Sequence, residues 1–309
     1  MLFAEDGSRT FRDAYASIEY DCGNLLLICH IQNTNKWYNC GMKKTIGFFG
    51  AGKMAEGIVQ AVAAAGKFNL EDVVMAETFQ PRAKEMSKRY RVKTVPDVEQ
   101  AAKEADAIFL SVKPQDVAAV AERVKPLMNS KKLVVSIVAG KSLASLRKMF
   151  GPKVRLVRVM PNLALRAKEG MCAICPAKNA TKADVKLVST ILDAAGQTVV
   201  LKEKDFDAVT ALSGSGPAFF AYMEEAMVEG GIKLGLKADI ARKLAEQTML
   251  GTAAYLRQSG ANLGEFIAGV ATKGGTTAAG MDVMRASEFK DIVASTLAAA
   301  AARSAELGK

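Results

Sequence analysis

The 309-residue chain contains very little histidine, tryptophan and cysteine. His30 is the only histidine and Trp37 the only tryptophan in the sequence. A single imidazole excludes a metal centre built from several histidines and strongly disfavours histidine as a general base, so we expect no metal site. Five cysteines without the spacing of a disulfide framework indicate a reducing compartment. We therefore expect a cytoplasmic protein rather than a disulfide-stapled secreted one.

Long apolar runs are also missing. The longest, such as residues 25–31, are far shorter than the roughly 20 residues that cross a bilayer, so we expect no membrane association. Half of the residues are apolar and 24% are charged, which is typical of a globular chain of two domains at this length. The net charge of +10 favours anionic ligands. With six tyrosines and no basic run longer than a pair, however, we expect no nucleic-acid partner.

Residues 1–41 differ in composition from the rest of the chain. They hold His30, Trp37 and three of the five cysteines, and their three basic and five acidic residues give a net charge of −2. The remaining 268 residues therefore carry +12. Acidic residues precede the apolar run, which does not match a signal or transit peptide, and residues 42–47 have the form of a start leading into a strand. We expect residues 1–41 to be an N-terminal appendage outside the working fold.

A strand, a tight glycine turn and a helix follow one another from residue 45. The apolar run 45–49 leads into a G-x-G-x-x-A pattern, after which apolar residues recur on one helical stripe. In this pattern the first glycine permits the turn, the second lets the backbone approach a pyrophosphate, and the alanine allows close helix packing. Free amides at the helix start would hold the phosphates. The predicted cofactor-binding residues of this turn are Gly50, Ala51, Gly52, Lys53 and Met54.

The cofactor preference depends on Glu77. A second predicted strand, 72–76, ends at Glu77, near the acidic position that binds a ribose diol in dinucleotide-binding folds. An acid there favours NADH because it would repel a 2′-phosphate. Arg82 and Lys84 follow closely and would offset this repulsion, so the sequence leaves NADH and NADPH open. The alternative for Glu77 is an ordinary acid at the end of a strand.

Strand and helix patterns continue to alternate as far as residue 201. Further strands are predicted at 106–112, 132–138, 154–159, 170–176 and 198–201, and helices at 115–127 and 182–195. This alternation is typical of a parallel, doubly wound sheet, which binds ligands at the carboxyl ends of its strands. The residues at those ends are candidates to line the dinucleotide: Ser111, Val112, Lys113, Pro114, Ala139 and Gly140.

Cys172 and Cys175 have the spacing of a redox motif but lie in a predicted strand rather than at a helix start. Side chains three residues apart on a strand point to opposite faces of the sheet. We therefore predict that both cysteines are packing residues.

Strand patterns stop after Lys204, and long apolar helices are predicted at 218–233, 238–258, 276–284 and 288–307. These helices are apolar around much of their circumference, which indicates a subunit interface and a homodimer or larger assembly. Two polar, glycine-rich segments interrupt them, at 212–218 and 272–277. The second contains Gly-Gly-Thr-Thr at a helix start, where free amides and hydroxyls suit a carboxylate, with simple helix capping as the alternative.

Taken together, these segments resemble the pyrroline-5-carboxylate reductase family from about residue 42 to 307. The motifs that carry the resemblance are residues 47–55, Ser111-Val112-Lys113-Pro114, Arg158-Val159-Met160-Pro161-Asn162, residues 211–218 and Gly274-Gly275-Thr276-Thr277. The resemblance implies an α/β Rossmann-type dinucleotide-binding domain over residues 42–203, followed by an all-α dimerisation domain over residues 204–309.

The resemblance also implies an activity and a role for each motif. The activity is the reduction of 1-pyrroline-5-carboxylate to L-proline with NADPH or NADH, the final step of proline biosynthesis. Met160, Pro161 and Asn162 would close the nicotinamide side of the cofactor site. Gly274, Gly275, Thr276 and Thr277 would bind the substrate carboxylate, and the Thr277 hydroxyl would be directed at the ring nitrogen as the candidate catalytic group. The pocket is expected to use helices from two protomers.

Two departures from the family pattern leave alternatives open. Leu163-Ala164 replaces the usual Thr-Pro, and Thr272-Lys273 replaces the usual Ser-Pro. The exact cyclic imine therefore stays open, as does a protein that senses NAD(P) without turnover. A β-hydroxyacid dehydrogenase is disfavoured because Lys233 is followed four residues later by a lysine, where those enzymes carry an asparagine.

Overall fold

Short runs of β-branched and aromatic residues form the strands of one sheet in the computed structural model, which describes residues 44–308. The expected appendage, residues 1–41 with His30, lies outside the described residues. The sheet has eight strands in the order β3-β2-β1-β4-β5-β6-β7-β8. In chain order the strands are β1 Ile46–Phe49, β2 Val73–Ala76, β3 Lys93–Val95, β4 Ala107–Leu110, β5 Leu133–Ser136, β6 Arg155–Pro161, β7 Gly170–Pro176 and β8 Gly196–Val200.

Six helices lie between these strands. They are α1 Lys53–Ala64, α2 Gln80–Tyr90, α3 Val98–Glu104, α4 Val117–Val124, α5 Leu143–Phe150 and α6 Lys182–Asp193. The first six strands are parallel, and the order β3-β2-β1-β4-β5-β6 is that of the doubly wound dinucleotide-binding fold. The Rossmann-type fold predicted from the sequence is confirmed.

The run of parallel strands ends at β6. β7 runs antiparallel to β6, and β8 then runs parallel to β7. Only residues 162–169 join β6 to β7, and they contain the short helical turn Leu163–Ala167. This link is shorter than the dozen or more residues that a parallel crossover needs, so β7 must return in the opposite direction.

The predicted helix over 115–127 is shorter than expected. It consists of a 3₁₀ turn at Pro114–Asp116, helix α4, and a second 3₁₀ turn at Lys125–Leu127. Pro126 lies in the second turn, and its missing amide hydrogen cannot continue the α-helical hydrogen bonding. β4 and β5 are also shorter than predicted, by one residue at the start and two at the end.

The sheet separates two apolar cores. One core contains Phe48, Phe109 and Ile174 with α1 and α6, and the other contains Phe49 and Ile108 with α3, α4 and α5. Neighbouring residues of one strand thus belong to different cores, as expected for a sheet that is covered on both faces.

The two cysteines of β7 follow the same alternation. Cys172 lies in the first core and Cys175 in the second, so the prediction that they are packing residues on opposite faces is confirmed. Burial, assisted by the charge of Asp193, raises the pKa of the Cys172 thiol to about 12. A thiol with so high a pKa stays protonated and is therefore a poor nucleophile.

After β8 the described elements are all helical. They are α7 Phe206–Val209, a π-helical turn Thr210–Gly214, α8 Gly216–Lys233, α9 Ala238–Ser259, α10 Leu263–Val270, α11 Thr276–Ala286 and α12 Phe289–Leu307. We call residues 206–307 the helical region. Many of its large apolar side chains are exposed, including Phe220, Tyr222, Leu244 and Ile292. Among the described residues, no helix is both long enough and apolar enough to cross a bilayer.

Residues 44–308 belong to one compact unit, because the helical region packs directly on the sheet region. The division at residues 203 and 204 into a cofactor domain and a dimerisation domain stays a prediction.

Candidate functional site

The glycine turn after β1 has a shape that only glycine permits. Gly50 has a φ of +93°, and its amide donates to the carbonyl of Ala76, 2.9 Å away. A β-carbon at Gly50 would lie 2.9 Å from the carbonyl oxygen of Ser111, so a side chain there would push β4 away. The turn therefore keeps β1, β2 and β4 together at their carboxyl ends.

Gly52 caps α1 and is exposed, and no atom lies within 4 Å of the place where its β-carbon would be. The backbone at the start of this 12-residue helix is thus open to a ligand. Open amides at a helix N-terminus bind phosphate groups. The turn therefore fits the diphosphate of a dinucleotide.

Glu77 lies beside this turn, as the sequence predicts. Its Oε2 accepts from the amide of Ala51 at 3.0 Å and its Oε1 accepts from the amide of Phe79 at 2.9 Å. Glu77, Ala51, Gly52 and Lys53 line a cavity of about 440 Å³ together with Phe79, Pro81, Arg82 and Glu85. We call this the ribose-end cavity.

A second cavity, of about 350 Å³, lies at the carboxyl ends of β4, β5 and β6. We call it the nicotinamide-side cavity, after its predicted occupant. Eight of the predicted cofactor residues line it: Met54, Ser111, Val112, Pro114, Ala139, Met160, Pro161 and Asn162. Ser111 also ties β4 to β1, because its hydroxyl donates to the carbonyls of Phe49 and Gly50, each at 2.9 Å.

Three predicted cofactor residues, Gly50, Lys113 and Gly140, line neither cavity. Lys113 is exposed at the start of a 3₁₀ turn, and Gly140 contacts the end of α12 instead. Gly140 has a φ of +74° and belongs to the same loop as Ala139, so it shapes the cavity without lining it.

The π-helical turn Thr210–Gly214 completes the nicotinamide-side cavity. Gly214 lines it, and a β-carbon at Gly214 would collide with Cε of Met160. Asn162 holds the same region together: its Oδ1 accepts from the amide of Met171 at 3.1 Å, and its Nδ2 lies 3.4 Å from Oγ of Ser213. No individual role was predicted for Ser213 or Gly214 from the sequence. The sequence feature that could have pointed to them is the run of mostly small residues at 211–218. Single-turn π-helices such as this one are frequent at functional sites.

The predicted substrate turn, residues 274–277, lies elsewhere. Gly274 has a φ of +75°, Gly275 caps α11, and Thr276 and Thr277 are exposed in the first turn of that helix. None of these four residues lines the nicotinamide-side cavity of the same described chain. The structure of one chain therefore brings most of the predicted cofactor residues to the two cavities but does not bring the predicted substrate turn to them.

Glu56, in the first turn of α1, is the buried charge nearest to the glycine turn. Its carboxylate accepts from Arg82 at 2.9 Å, Arg89 at 2.9 Å and Tyr90 at 2.8 Å. Burial alone would raise the pKa of Glu56, but the hydrogen bonds from Arg82 and Tyr90 and the two guanidinium charges outweigh it and lower that pKa. Glu56 thus stays ionised and joins α1 to α2 beneath the ribose-end cavity.

Within residues 44–308, histidine, cysteine, aspartate and glutamate side chains nowhere gather in threes with the geometry to hold a metal ion. The expectation that the protein needs no metal stays a prediction.

The chain is similar to known proteins in sequence and in structure. Residues 203–307 match the family model for pyrroline-5-carboxylate reductase dimerisation, and residues 45–140 match that for NADP oxidoreductase, coenzyme F420-dependent. The chain is 36% identical over 264 residues to a pyrroline-5-carboxylate reductase of Methanosarcina acetivorans, covering 85% of this chain and 98% of that protein. It is 34% identical over 268 residues to pyrroline-5-carboxylate reductase 3 of Rattus norvegicus, covering 86% and 97%.

Solved structures agree with these sequence matches. A Plasmodium falciparum pyrroline carboxylate reductase with NADP bound has a TM-score of 0.78 at 29% identity and covers 86% of this chain and 99% of that one. A pyrroline-5-carboxylate reductase of Coxiella burnetii has a TM-score of 0.81 at 29% identity, with the same coverage.

Proposed function

The chain belongs to the pyrroline-5-carboxylate reductase family, and from this we propose that it reduces 1-pyrroline-5-carboxylate to L-proline with NADH or NADPH. This reaction is the final step of proline biosynthesis. The observation that carries the proposal is the nicotinamide-side cavity, where residues from four separate motifs meet at the carboxyl ends of the strands. Ligands of doubly wound folds bind at this edge of the sheet.

The chain's own residues hold and enclose the reactants. The open backbone at Gly52 and the start of α1 bind the diphosphate. The Glu77 carboxylate binds the hydroxyls of the ribose at the end of the dinucleotide away from the nicotinamide. Met54, Met160 and Pro161 give the nicotinamide-side cavity apolar walls, which keep water from the reacting ring. A bound nicotinamide cofactor supplies the hydride that adds to the imine carbon.

Positioning is the main contribution of such a site, because a protonated imine is already a strong electrophile. The amides and hydroxyls of residues 274–277 bind the substrate carboxylate. The Thr277 hydroxyl is directed at the ring nitrogen and orients or relays the proton there. No histidine is required for these steps.

We further propose that a homodimer forms the complete site. The substrate turn lies outside the nicotinamide-side cavity of its own chain, and residues 203–307 match a dimerisation domain. The turn of one protomer would thus complete the cavity of the other. In this arrangement residues 42–203 act as the cofactor domain and residues 204–309 as the dimerisation domain. The free, buried thiols of β7 are consistent with a cytoplasmic enzyme.

The alternative of a protein that senses NAD(P) without turnover is not favoured, because the family matches are to reductases. The exact imine is a narrower question. Leu163, one of the two residues that replace the usual Thr-Pro, lines the nicotinamide-side cavity and is exposed to it and to solvent. Cyclic imines with larger or smaller rings should therefore be compared with 1-pyrroline-5-carboxylate as substrates.

The test is to mix the purified full chain with 1-pyrroline-5-carboxylate and each reduced cofactor. We expect imine-dependent loss of the absorbance of reduced nicotinamide, with L-proline formed in equal amount by mass spectrometry. Omission of the imine serves as the control for slow cofactor oxidation. Cofactor binding without any imine-dependent oxidation would contradict the proposal and support the sensor.

A further inference from the structure

We propose that the ribose-end cavity selects NADH over NADPH, with Glu77 as the selecting residue and with the charge of Arg82 already balanced by Glu56 and Glu85. The sequence left this choice open because Arg82 follows Glu77 closely. The inference rests on the proposed function only in assuming that a nicotinamide dinucleotide binds the cleft.

Glu77 is fixed in a geometry that suits a ribose diol. Backbone amides of Ala51 and Phe79 bind its two carboxylate oxygens separately, one at 3.0 Å and one at 2.9 Å. Each carboxylate oxygen has about two lone-pair sites, so each can accept one further hydrogen bond. The 2′- and 3′-hydroxyls of an unphosphorylated ribose are two neighbouring donors. Glu77 therefore offers one free acceptor to each hydroxyl without rearranging.

The negative charge of Glu77 also has no basic partner among the described residues. Within residues 44–308, no lysine or arginine forms an ion pair with it. A 2′-phosphate carries about 1.5 to 2 negative charges at neutral pH and has no hydrogen to donate to a carboxylate when fully ionised. NADPH would thus place a second anion against an unpaired one.

Arg82 does not compensate for Glu77 because its guanidinium is already bound on three sides. Its Nη2 donates to Glu56 at 2.9 Å, its Nη1 to Glu85 at 2.8 Å, and its Nε to the carbonyl of Ala51 at 2.7 Å. The Arg82 side chain is only 19% exposed. Three of its five N–H donors are thus engaged, and two of these bonds go to the carboxylates of Glu56 and Glu85, which already balance its positive charge, so a 2′-phosphate would compete with both for it.

The other basic side chains near the ribose-end cavity do not change its preference between NADH and NADPH. Lys53 lines the ribose-end cavity, but it begins α1 at the turn that would hold the diphosphate, which NADH and NADPH share. Its attraction therefore favours both cofactors. Lys84 is exposed and is not part of the cavity lining.

The test compares the dissociation constants of NADH and NADPH for the full chain by nicotinamide fluorescence, without imine. We expect NADH to bind at least about tenfold more tightly, the scale of one charge-assisted hydrogen bond. Glu77→Gln keeps one carbonyl oxygen but removes the charge, and should lower the NADH preference at least about tenfold. Glu71→Gln makes the same charge change on the exposed turn before β2 and should leave the preference unaltered.

A second variant tests the role given to Arg82. Glu85→Gln removes one of its two carboxylate partners at a side chain that is 51% exposed, so the fold should be unaffected. We expect the affinity for NADPH relative to that for NADH to rise several-fold in this variant. Equal or tighter binding of NADPH by the unaltered chain would overturn the inference, as would an unchanged preference in Glu77→Gln.

These measurements separate the inference from the proposed function. A preference for NADH without imine reduction would count against the proposed reaction alone. Imine reduction with a kcat/KM that favours NADPH would count against the inference alone.

Discussion

Thr277 is the residue on which the proposed chemistry depends most directly. Thr277→Ala removes the only group assigned to the ring nitrogen and should lower kcat at least about tenfold, within the range for a lost proton-positioning group. Thr277 is exposed in the first turn of α11, so the melting temperature of the variant should stay near that of the parent. Steady-state kinetics with saturating cofactor measure the effect.

Thr277→Ser provides the matched control, because it restores a hydroxyl and should recover most of kcat. A near-parental rate in Thr277→Ala would remove Thr277 from the mechanism. An equal loss in both variants would assign the effect to packing rather than to the hydroxyl.

Glu56 gives a prediction on stability and pH. Its folded-state pKa lies below the ordinary value of 4.5, so the unfolded chain binds more protons as the pH falls through that range. The stabilisation by Glu56 is therefore fully present above about pH 5 and is lost as the pH falls through the folded pKa. Glu56→Gln removes the buried carboxylate that Arg82 and Arg89 share, and should lower the free energy of unfolding by about 2 kcal/mol at pH 7.

Urea unfolding of both proteins between neutral and acidic pH measures this difference. The two stability curves should converge as the pH decreases below 4.5, because protonation of Glu56 removes the same interaction that the substitution removes. Parallel curves over the whole range would show that Glu56 does not titrate with folding.

At the scale of helices and strands, an element could be predicted from the sequence where its apolar residues form a continuous run or a periodic pattern. β1, β2, β4 and β5 are four-residue strands that are buried at every position, and continuous apolar runs of this kind are visible without a structure. β3 has three residues and begins with an exposed lysine, and α2 buries only Ala83 and Met86. Neither element has enough apolar residues to form a periodic signal, so neither was predicted.

The meeting of the predicted cofactor residues could be predicted from sequence because parallel strands bring their carboxyl ends to one edge. Ser111, Ala139 and Pro161 follow or end three neighbouring strands and meet in one cavity for that reason. The approach of Ser213 to Asn162 joins positions 51 residues apart through a π-helical turn, and no local pattern encodes such a contact. The contact of Gly140 with Leu307 could not be predicted for the same reason.

The conformation of the loop after β5 depends on the packing of Gly140 against the end of α12. A β-carbon at Gly140 would lie 2.8 Å from the carbonyl oxygen of Leu307 and 2.9 Å from its β-carbon. Gly140→Ala should therefore displace the loop that carries Val138 and Ala139, and weaken NADH binding several-fold. The positive φ adds a cost of about 1 kcal/mol to the free energy of unfolding. Fluorescence titration and urea unfolding measure the two effects.

Gly66→Ala is the matched control for this prediction. Gly66 has a similar φ of +62°, but no atom lies within 4 Å of its added β-carbon. It should lose comparable stability while binding NADH as the parent does. Equal NADH affinity in both variants would show that the end of α12 does not hold the loop in place.

For the whole molecule, the exposed apolar surface of the helical region requires a partner. Tyr222 on α8 is 75% exposed, Leu244 on α9 is 53% exposed and Ile292 on α12 is 61% exposed. Monomeric proteins rarely leave so many large apolar side chains in contact with water. A second copy would cover this surface, and the same association would bring a substrate turn to each nicotinamide-side cavity.

Leu244→Glu tests both consequences at once. A buried, unpaired carboxylate on the apolar face should dissociate the dimer, so we expect sedimentation as a monomer at micromolar concentration. The reductase activity should fall at least about tenfold because each cavity then lacks its substrate turn, whereas NADH should still bind, since both cofactor cavities lie within one chain.

Val200→Glu is the control, because Val200 is 52% exposed on the edge strand β8, outside the helical region. It should remain dimeric and active. A Leu244→Glu monomer with full activity would show that one chain forms the whole site, and the substrate turn would then have to reach the cavity by a rearrangement within its own protomer.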